Sequence, residues 1–479
     1  MAASPTSAPS RRARVLRVCT VALGLFIALM AVFPGFGPGA WSGAILLVTG
    51  IATAGLVLLP LEVNSRAILL IAASALSVLL AEGGARIMFG PDFESVYDID
   101  ERYLHRLVPG TAKRFHRTAA NGGGVIDFRV SRQGYRGEDL AALGGGRRIV
   151  VYGDSFIAAE FSRREDSFTE KLRSKLEERD PSPLQIINAG VVAYGPDQVS
   201  LRMADELPRL EPQLAIVAVF AGNDFGELMR NKIFKLDSEG NLRRHEFQID
   251  PALRARFARA RRSLVLSRMT EKALYRLAAG EQATAERAAA PLSGRGRRAP
   301  RAAEDVQRHG RVETWLWERR EEYERYVGRN DDSVTDLLGD GYDADVSMTP
   351  GSASALYKVQ LMDRVLLHIR TIAEKSDLPL LLLIIPSPID ASERYEHAQV
   401  DAEQYPEYER SALSDALEQI AARHGIPHVN LFEPFTERDA HTLYFKGGDD
   451  HWNDAGQELA AQLVAEYLDV SGLLDETPD

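Results

Sequence analysis

The sequence holds a single cysteine, Cys19, among 479 residues. That excludes an intramolecular disulfide framework and any cysteine-rich zinc site. A basic excess is also missing: 57 lysines and arginines face 68 aspartates and glutamates, for a net charge of −11. Duplex nucleic acid is held by basic patches that displace counterions, so this balance argues against a nucleic-acid partner. Charged residues make up an ordinary 26% and hydrophobic ones 45%, which excludes a wholly disordered chain and leaves ample material for a core. Long apolar runs are scarce over most of the chain and concentrate before residue 90.

Three such runs stand there: Val15 to Phe33, Ala40 to Leu61, and Ala67 to Leu80, continued by Gly83 to Phe89. A bilayer crossing takes about 20 apolar residues at a helical rise of 1.5 Å, which the first two supply. The third is interrupted by Glu82 and Arg86, which can sit at the headgroup level. Arg11, Arg12, Arg14 and Arg17 precede the first run, so the positive-inside rule places the N-terminus in the cytoplasm. Three crossings then deliver the remainder to the outside, as a multi-pass inner-membrane protein. A cleaved signal peptide is the alternative for the first run, and a core helix for the third.

Beyond this anchor (1–90), residues 91–146 read as a connector with some strand character, as in Val125 to Val130. From Arg147 the pattern becomes strand, loop, helix. Ile149–Tyr152, Leu184–Asn188 and Leu214–Phe220 are short continuous apolar runs. Between them, Phe168, Leu172 and Leu176 recur at helical spacing behind Asp166 as a candidate N-cap, and Gln198–Leu210 reads as a further helix. Such alternation predicts a parallel sheet covered by helices on both faces. The pattern lapses over 228–350, with Arg/Ala-rich helices (Ala252–Leu277), a low-complexity stretch (Glu281–Ala303) and an acidic tract (Glu313–Asp345). This reads as an insertion with a disordered centre, either a lid, a partner-binding arm or a solvated spacer. The sheet pattern resumes with helix Ser352–Lys375, strand Leu380–Ile385, helix Ser411–His424, strand His428–Phe432 and helix Ala455–Leu468. The expected compact domain is therefore built from 147–227 and 351–470, followed by a tail at 471–479.

Three loops in this frame hold reactive or donor residues: Gly153-Asp154-Ser155-Phe156, Ala221-Gly222-Asn223-Asp224, and Gly448-Asp449-Asp450-His451-Trp452-Asn453. In an open parallel sheet the C-terminal strand ends share one crevice, so loops distant in sequence can converge. Ester chemistry needs a nucleophile, a base, a group orienting the base, and donors for the developing oxyanion. Ser155, on a tight strand-to-helix loop, suits the first role and His451 the second. Asp449 is the preferred orienting group, because residues two apart in an extended segment face the same way, with Asp450 as the alternative. The Ser155 N–H and the Asn223 side-chain amide suit the oxyanion. Taken singly, Ser155 reads as a cap or turn residue, Asn223-Asp224 as a turn, and Asp449-Asp450-His451 as a solvated loop or a partial metal site. Trp315 and Trp317 read either as core or interface packing or as a sugar-stacking surface.

In this order the blocks resemble the SGNH, or GDSL-type, hydrolase superfamily over 147–227 and 351–470. GDSF at 153–156 is similar to the nucleophile block and carries Ser155. NAGVVAYGPDQ at 188–198 is similar to the second block, which presents a backbone N–H to the oxyanion; spacing gives Ala193 that place, with Gly195 as the alternative. AGND at 221–224 is similar to the block carrying Asn223, with Ala221 in place of the first glycine. Most of the superfamily has its acid three residues before the histidine, where this chain has Gly448. DDHWNDAG at 449–456 instead resembles a D-x-H-W variant of membrane-associated members, among them relatives that acetylate extracellular polysaccharides. FRVSRQGYRGE at 128–138 and the apolar N-terminus also resemble membrane-anchored bacterial members. The resemblance implies a three-layer α/β/α fold of SGNH/flavodoxin-like type and no required metal or organic cofactor. It further implies an acyl-ester substrate such as an O-acetylated glycan, cleaved by a membrane-anchored serine esterase. An O-acyltransferase using the same residues is the alternative; an inactive membrane-tethered binding or assembly protein is a third reading.

Overall fold

The computed structural model describes residues 11–30, 48–49, 51–58, 60–140, 147–270, 272–273, 301–339 and 341–474. They fall into two units, 1–93 with 258–291, and 94–257 with 292–479.

In the first unit, helix α1 (Arg11–Met30) spends its first two turns on four arginines, and the expected continuation to Phe33 lies outside the described residues. The run Ala40–Leu61 also falls largely outside them. Helix α2 (Leu61–Phe93) is the one helix among the described residues long and apolar enough to cross a membrane, and its 29 residues from Ser65 to Phe93 include an 18-residue stretch with a mean hydropathy of 2.0. Among the described residues, one such helix stands where the sequence suggested several, and it is the run that looked shortest. The reason lies in Glu82 and Arg86. One helical turn apart, they pair at 2.7 Å. Glu82 also accepts the backbone N–H groups of Val265 and Leu266 at 3.0 and 3.1 Å. Charges satisfied in this way let the helix run on through the position where the sequence shows an interruption.

The second unit is organised on one five-stranded sheet. Its strands are β1 (Arg147–Tyr152), β2 (Leu184–Asn188), β3 (Leu214–Phe220), β4 (Leu380–Ile385) and β5 (His428–Asn430), all parallel, in spatial order β5-β4-β3-β1-β2. Successive side chains of a strand point to opposite faces, and here both faces are covered. Val150, Val217 and Leu382 pack with Met203, Val365 and Leu417 on one side. Ile149, Ile216 and Leu383 pack with Leu172, Val464 and Leu468 on the other. That double burial is why the strands read as unbroken apolar runs. The helices are α3 (Ser155–Ala158), α4 (Phe168–Arg179), α5 (Pro196–Leu210), α6 (Asp224–Asn231), α7 (Arg301–Tyr323), α8 (Ala353–Glu374), α9 (Ala412–Arg423) and α10 (Asp454–Ser471). The Asp166 cap is corrected: Ser167 precedes α4 without a side-chain cap, and the Phe168 N–H donates to Gln457 Oε1 of α10 at 3.0 Å.

The connector from Glu94 onward and the two ends of the 228–350 segment belong to this unit. The connector forms two hairpins, Tyr97–Asp100 with Leu104–Leu107 and Ala112–His116 with Val125–Arg129, and Arg136 bridges Asn188 to cover the outer edge of β2. Within 228–350, Val312, Leu316, Tyr326, Leu337, Tyr342 and Val346 are buried in the same core as the sheet. The expectation that this stretch builds no fold is therefore corrected for its flanks. Its apolar residues are scattered between charged ones, so no single run betrays them. Most of the low-complexity centre, Glu281–Ala303, lies outside the described residues.

Candidate active site

The strand order reverses direction between β1 and β3, and the crevice at such a switch point is where open parallel sheets bind ligands. Ser155 follows β1 and Asn223 follows β3, one on each side of it. The chain turns sharply after Tyr152. A side chain at Gly153 would lie 2.6 Å from Ile157 Cγ1 and 3.1 Å from Ala218 Cβ, so only glycine lets α3 pack this closely on β3. Asp154 caps α3 by accepting the Phe156 N–H at 2.9 Å. Ser155 is thereby presented as the first residue of the helix.

His451 arrives from the other end of the chain. Its loop is held by Trp452, which is fully buried and donates its indole N–H to Phe156 O at 3.1 Å, and by Asn453, which caps α10. The Phe156 ring stacks on the imidazole with centroids 5.0 Å apart. Ser155 Oγ lies 2.7 Å from His451 Nε2, and His451 Nδ1 lies 2.8 Å from Asp449 Oδ1. The carboxylate requires Nδ1 to carry its proton, leaving Nε2 to accept from the serine hydroxyl. The preference for Asp449 rested on an extended segment, and that reasoning is corrected. Asp449 Oδ1 also accepts the His451 N–H at 3.0 Å, so a side-chain-to-backbone turn puts it on the imidazole side. Asp450 does not face away either: its Oδ1 is 3.2 Å from the same Nδ1. Burial alone would lower the imidazolium pKa, but Asp449 and Asp450 together raise it well above the ordinary value. Conversely His451 holds the Asp449 carboxyl below its usual range, outweighing burial. The three side chains form the only cluster among the described residues with metal-ligand spacing, but both imidazole nitrogens are already engaged, one by Asp449 and one by Ser155.

A cavity of about 190 Å³ opens beside this pair, walled by Ser155, Ala193, Asn223 and His451 together with Glu160, Phe161, Val192, Glu227 and Leu338. Ala193 adopts φ +59°, the left-handed conformation that costs an L side chain strain, and among the described residues no hydrogen bond takes its N–H. Gly195 does not share this place: its N–H donates to Gln198 Oε1 at 3.0 Å at the start of α5. Arg230 links the two remaining donors. Its guanidinium holds Ala193 O at 3.0 Å and pairs with Glu227 at 2.9 Å on α6, the helix that Asn223 immediately precedes. Sequence reasoning missed Glu160, Glu227, Arg230 and Leu338, none of which stands in a motif. Glu160 accepts from the Tyr97 hydroxyl at 2.6 Å, and burial raises its carboxyl pKa despite that bond.

A parallel α/β sheet with a Ser–His–Asp chain of hydrogen bonds at its switch point is the arrangement of a serine hydrolase. No protein-family profile and no curated protein matches this sequence. Part of the chain is similar to solved structures. An α/β hydrolase from the metagenome of Lake Arreo, Spain, has 12% identity over 69% of this chain and 98% of its own, at a TM-score of 0.32. An acetylxylan esterase from Geobacillus stearothermophilus has 10% identity over 68% and 96%, at 0.33. A lipase/acylhydrolase from Enterococcus faecalis has 11% over 68% and 96%, at 0.31. The site stands on its own geometry.

Proposed function

We propose that this chain is a membrane-anchored serine esterase of SGNH type that cleaves short-chain acyl esters of an extracytoplasmic glycan or lipid. The observation that carries the reading is the unbroken chain Ser155–His451–Asp449 facing a cavity. Ser155 Oγ attacks the ester carbonyl while its proton passes to His451 Nε2, and Asp449 stabilises the imidazolium. The tetrahedral oxyanion is held by the N–H groups of Ser155 and Ala193 and by the Asn223 amide. His451 then protonates the leaving alcohol, and water, deprotonated by His451, releases the acid from Ser155. A cavity of about 190 Å³ is below the roughly 300–1,000 Å³ of sites that bury drug-sized ligands, which suits a short acyl group. The four arginines in the first two turns of α1 favour a cytoplasmic N-terminus. An odd number of crossings, by α2 alone or with two more, then carries the catalytic unit to the outer side. No metal or organic cofactor is called for in this scheme.

Transfer to a sugar hydroxyl instead of water would use the same residues, and the D-x-H-W spacing favours it. The test uses the full chain in detergent with a fluorophosphonate probe, an aryl acetate and labelled acetyl donors, with and without glycan acceptor. Labelling and turnover should vanish in Ser155→Ala and His451→Ala. Absence of labelling in folded wild-type protein would overturn the esterase reading. Capture of label by the acceptor would identify the transferase.

A further inference from the structure

A second cavity, of about 210 Å³, adjoins the first across Asn223, which walls both. Its other walls include Asp450, Trp315 and Tyr342 from the 228–350 segment, and Tyr395 and His397 from the loop after β4. Nothing in the acyl-transfer steps above uses these four rings.

Two features show that this space is built. Gly448, the position where the superfamily resemblance would put its acid, has φ +84°, and a side chain there would lie 2.4 Å from His397 Nδ1. The missing acid therefore makes room for the His397 ring. Tyr395 fixes the same junction by donating to Gly448 O at 3.0 Å. The protonation state of His397 is also set. Arg311 Nη1, which can only donate, lies 2.9 Å from His397 Nδ1, so Nδ1 accepts and Nε2 carries the hydrogen. Among the described residues no hydrogen bond takes that Nε2–H. Burial and the Arg311 charge lower the His397 pKa, which keeps the ring neutral.

Resting on the esterase reading, we infer that this second cavity is a glycosyl subsite, so that the ester is carried by a sugar rather than by a lipid. The acyl group occupies the Ser155 cavity, and the sugar bearing it lies across Asn223 against Trp315, with His397 Nε2–H donating to a ring hydroxyl. A pyranose offers apolar C–H faces for aromatic rings and hydroxyls for polar edges. An alkyl chain in the same place would strip water from Asp450, Asn223 and His397 and return no hydrogen bond.

The test measures binding, so that it does not depend on turnover. Full-length Ser155→Ala protein in detergent is titrated with O-acetylated cellotetraose, mannotetraose and xylotetraose, and with monoolein. At least one tetrasaccharide should bind in preference to monoolein. Adding Trp315→Ala should weaken it about tenfold, and adding His397→Phe about three- to tenfold. Trp317→Ala, at a residue 66% exposed and outside the cavity, should leave binding unchanged. Melting curves of each variant confirm folding, and His397→Phe keeps the ring volume should Trp315→Ala fail to fold. Binding of monoolein alone, of no tetrasaccharide, or unchanged binding in both folded variants would overturn the subsite. Fluorophosphonate labelling of the wild type separates that failure from failure of the esterase reading.

Discussion

Two groups of buried charges lie in the catalytic unit, and they are built differently. One is His451 with Asp449 and Asp450, partly open to the cavity that Ser155 shares. The other lies beneath α6: Lys358 of α8, with no exposed surface, holds Asp345 at 2.9 Å and Asp343 at 3.5 Å. Asp345 also accepts from Ser354, and Asp343 accepts the Gly226 N–H at 2.9 Å. In the closed group Lys358, Asp343 and Asp345 each have a partner among the described residues. In the open group the last partner, Ser155, is a hydroxyl beside empty space. The comparison teaches that ion pairing alone does not mark function. A charge chain becomes chemistry when it ends on a nucleophile at a place a substrate can reach.

The comparison can be broken at either end. Ser155→Ala should cost about 10⁴–10⁶ in kcat while the melting temperature stays nearly constant, since its side chain does not support the core, and His451→Ala should cost as much in kcat. Equal loss of fold and activity would erase the distinction. Asn223→Ala should cost about 10²–10³ in kcat, measured with aryl acetate; a change below about threefold would remove it from the oxyanion site. Lys358→Met should do the reverse, destabilising by about 3–5 kcal/mol in urea titrations because two carboxylates lose their buried partner, with little change in kcat of the folded fraction.

The smallest effect sharpens the open group. Turnover needs neutral His451, so kcat/KM should rise with pH through the raised His451 pKa. Asp450→Asn removes one of the two carboxylates that raise it, so the midpoint of the profile should move to lower pH with the plateau retained. Stability runs the opposite way with pH. A raised folded-state pKa contributes stability that is full below the unfolded value of about 6.5 and lost as pH rises through the folded value. Asp450→Asn should therefore lower stability chiefly at acid pH. A pH–rate profile that does not move would show that Asp449 alone sets the imidazolium.

Much of the sheet was legible because its strands are buried on both faces. Leu214–Phe220 and Leu380–Ile385 were readable to the residue for that reason. The three loops were legible because Ser155, Asn223 and His451 stand at fixed places relative to strands and to α10. The 228–350 segment was not, since Val312, Leu316 and Tyr342 reach the core singly from a charged background. Nor was the continuity of α2, which depends on the pairing of Glu82 with Arg86 and two backbone N–H groups.

The sequence by itself determined the order of strands and helices in the sheet, the candidate nucleophile and base, and the apolar N-terminal region. Apolar periodicity and short motifs are local properties, carried by neighbours in the chain. Only the tertiary structure decided that Ala193 and not Gly195 lines the cavity beside Ser155, that Asp449 and Asp450 both reach His451, and that Trp315 and His397 wall a second cavity. Those outcomes depend on which side of a turn a group faces and on contacts between distant segments. In this chain, free N–H groups, shared carboxylates and cavities arise from packing, which no stretch of sequence carries alone.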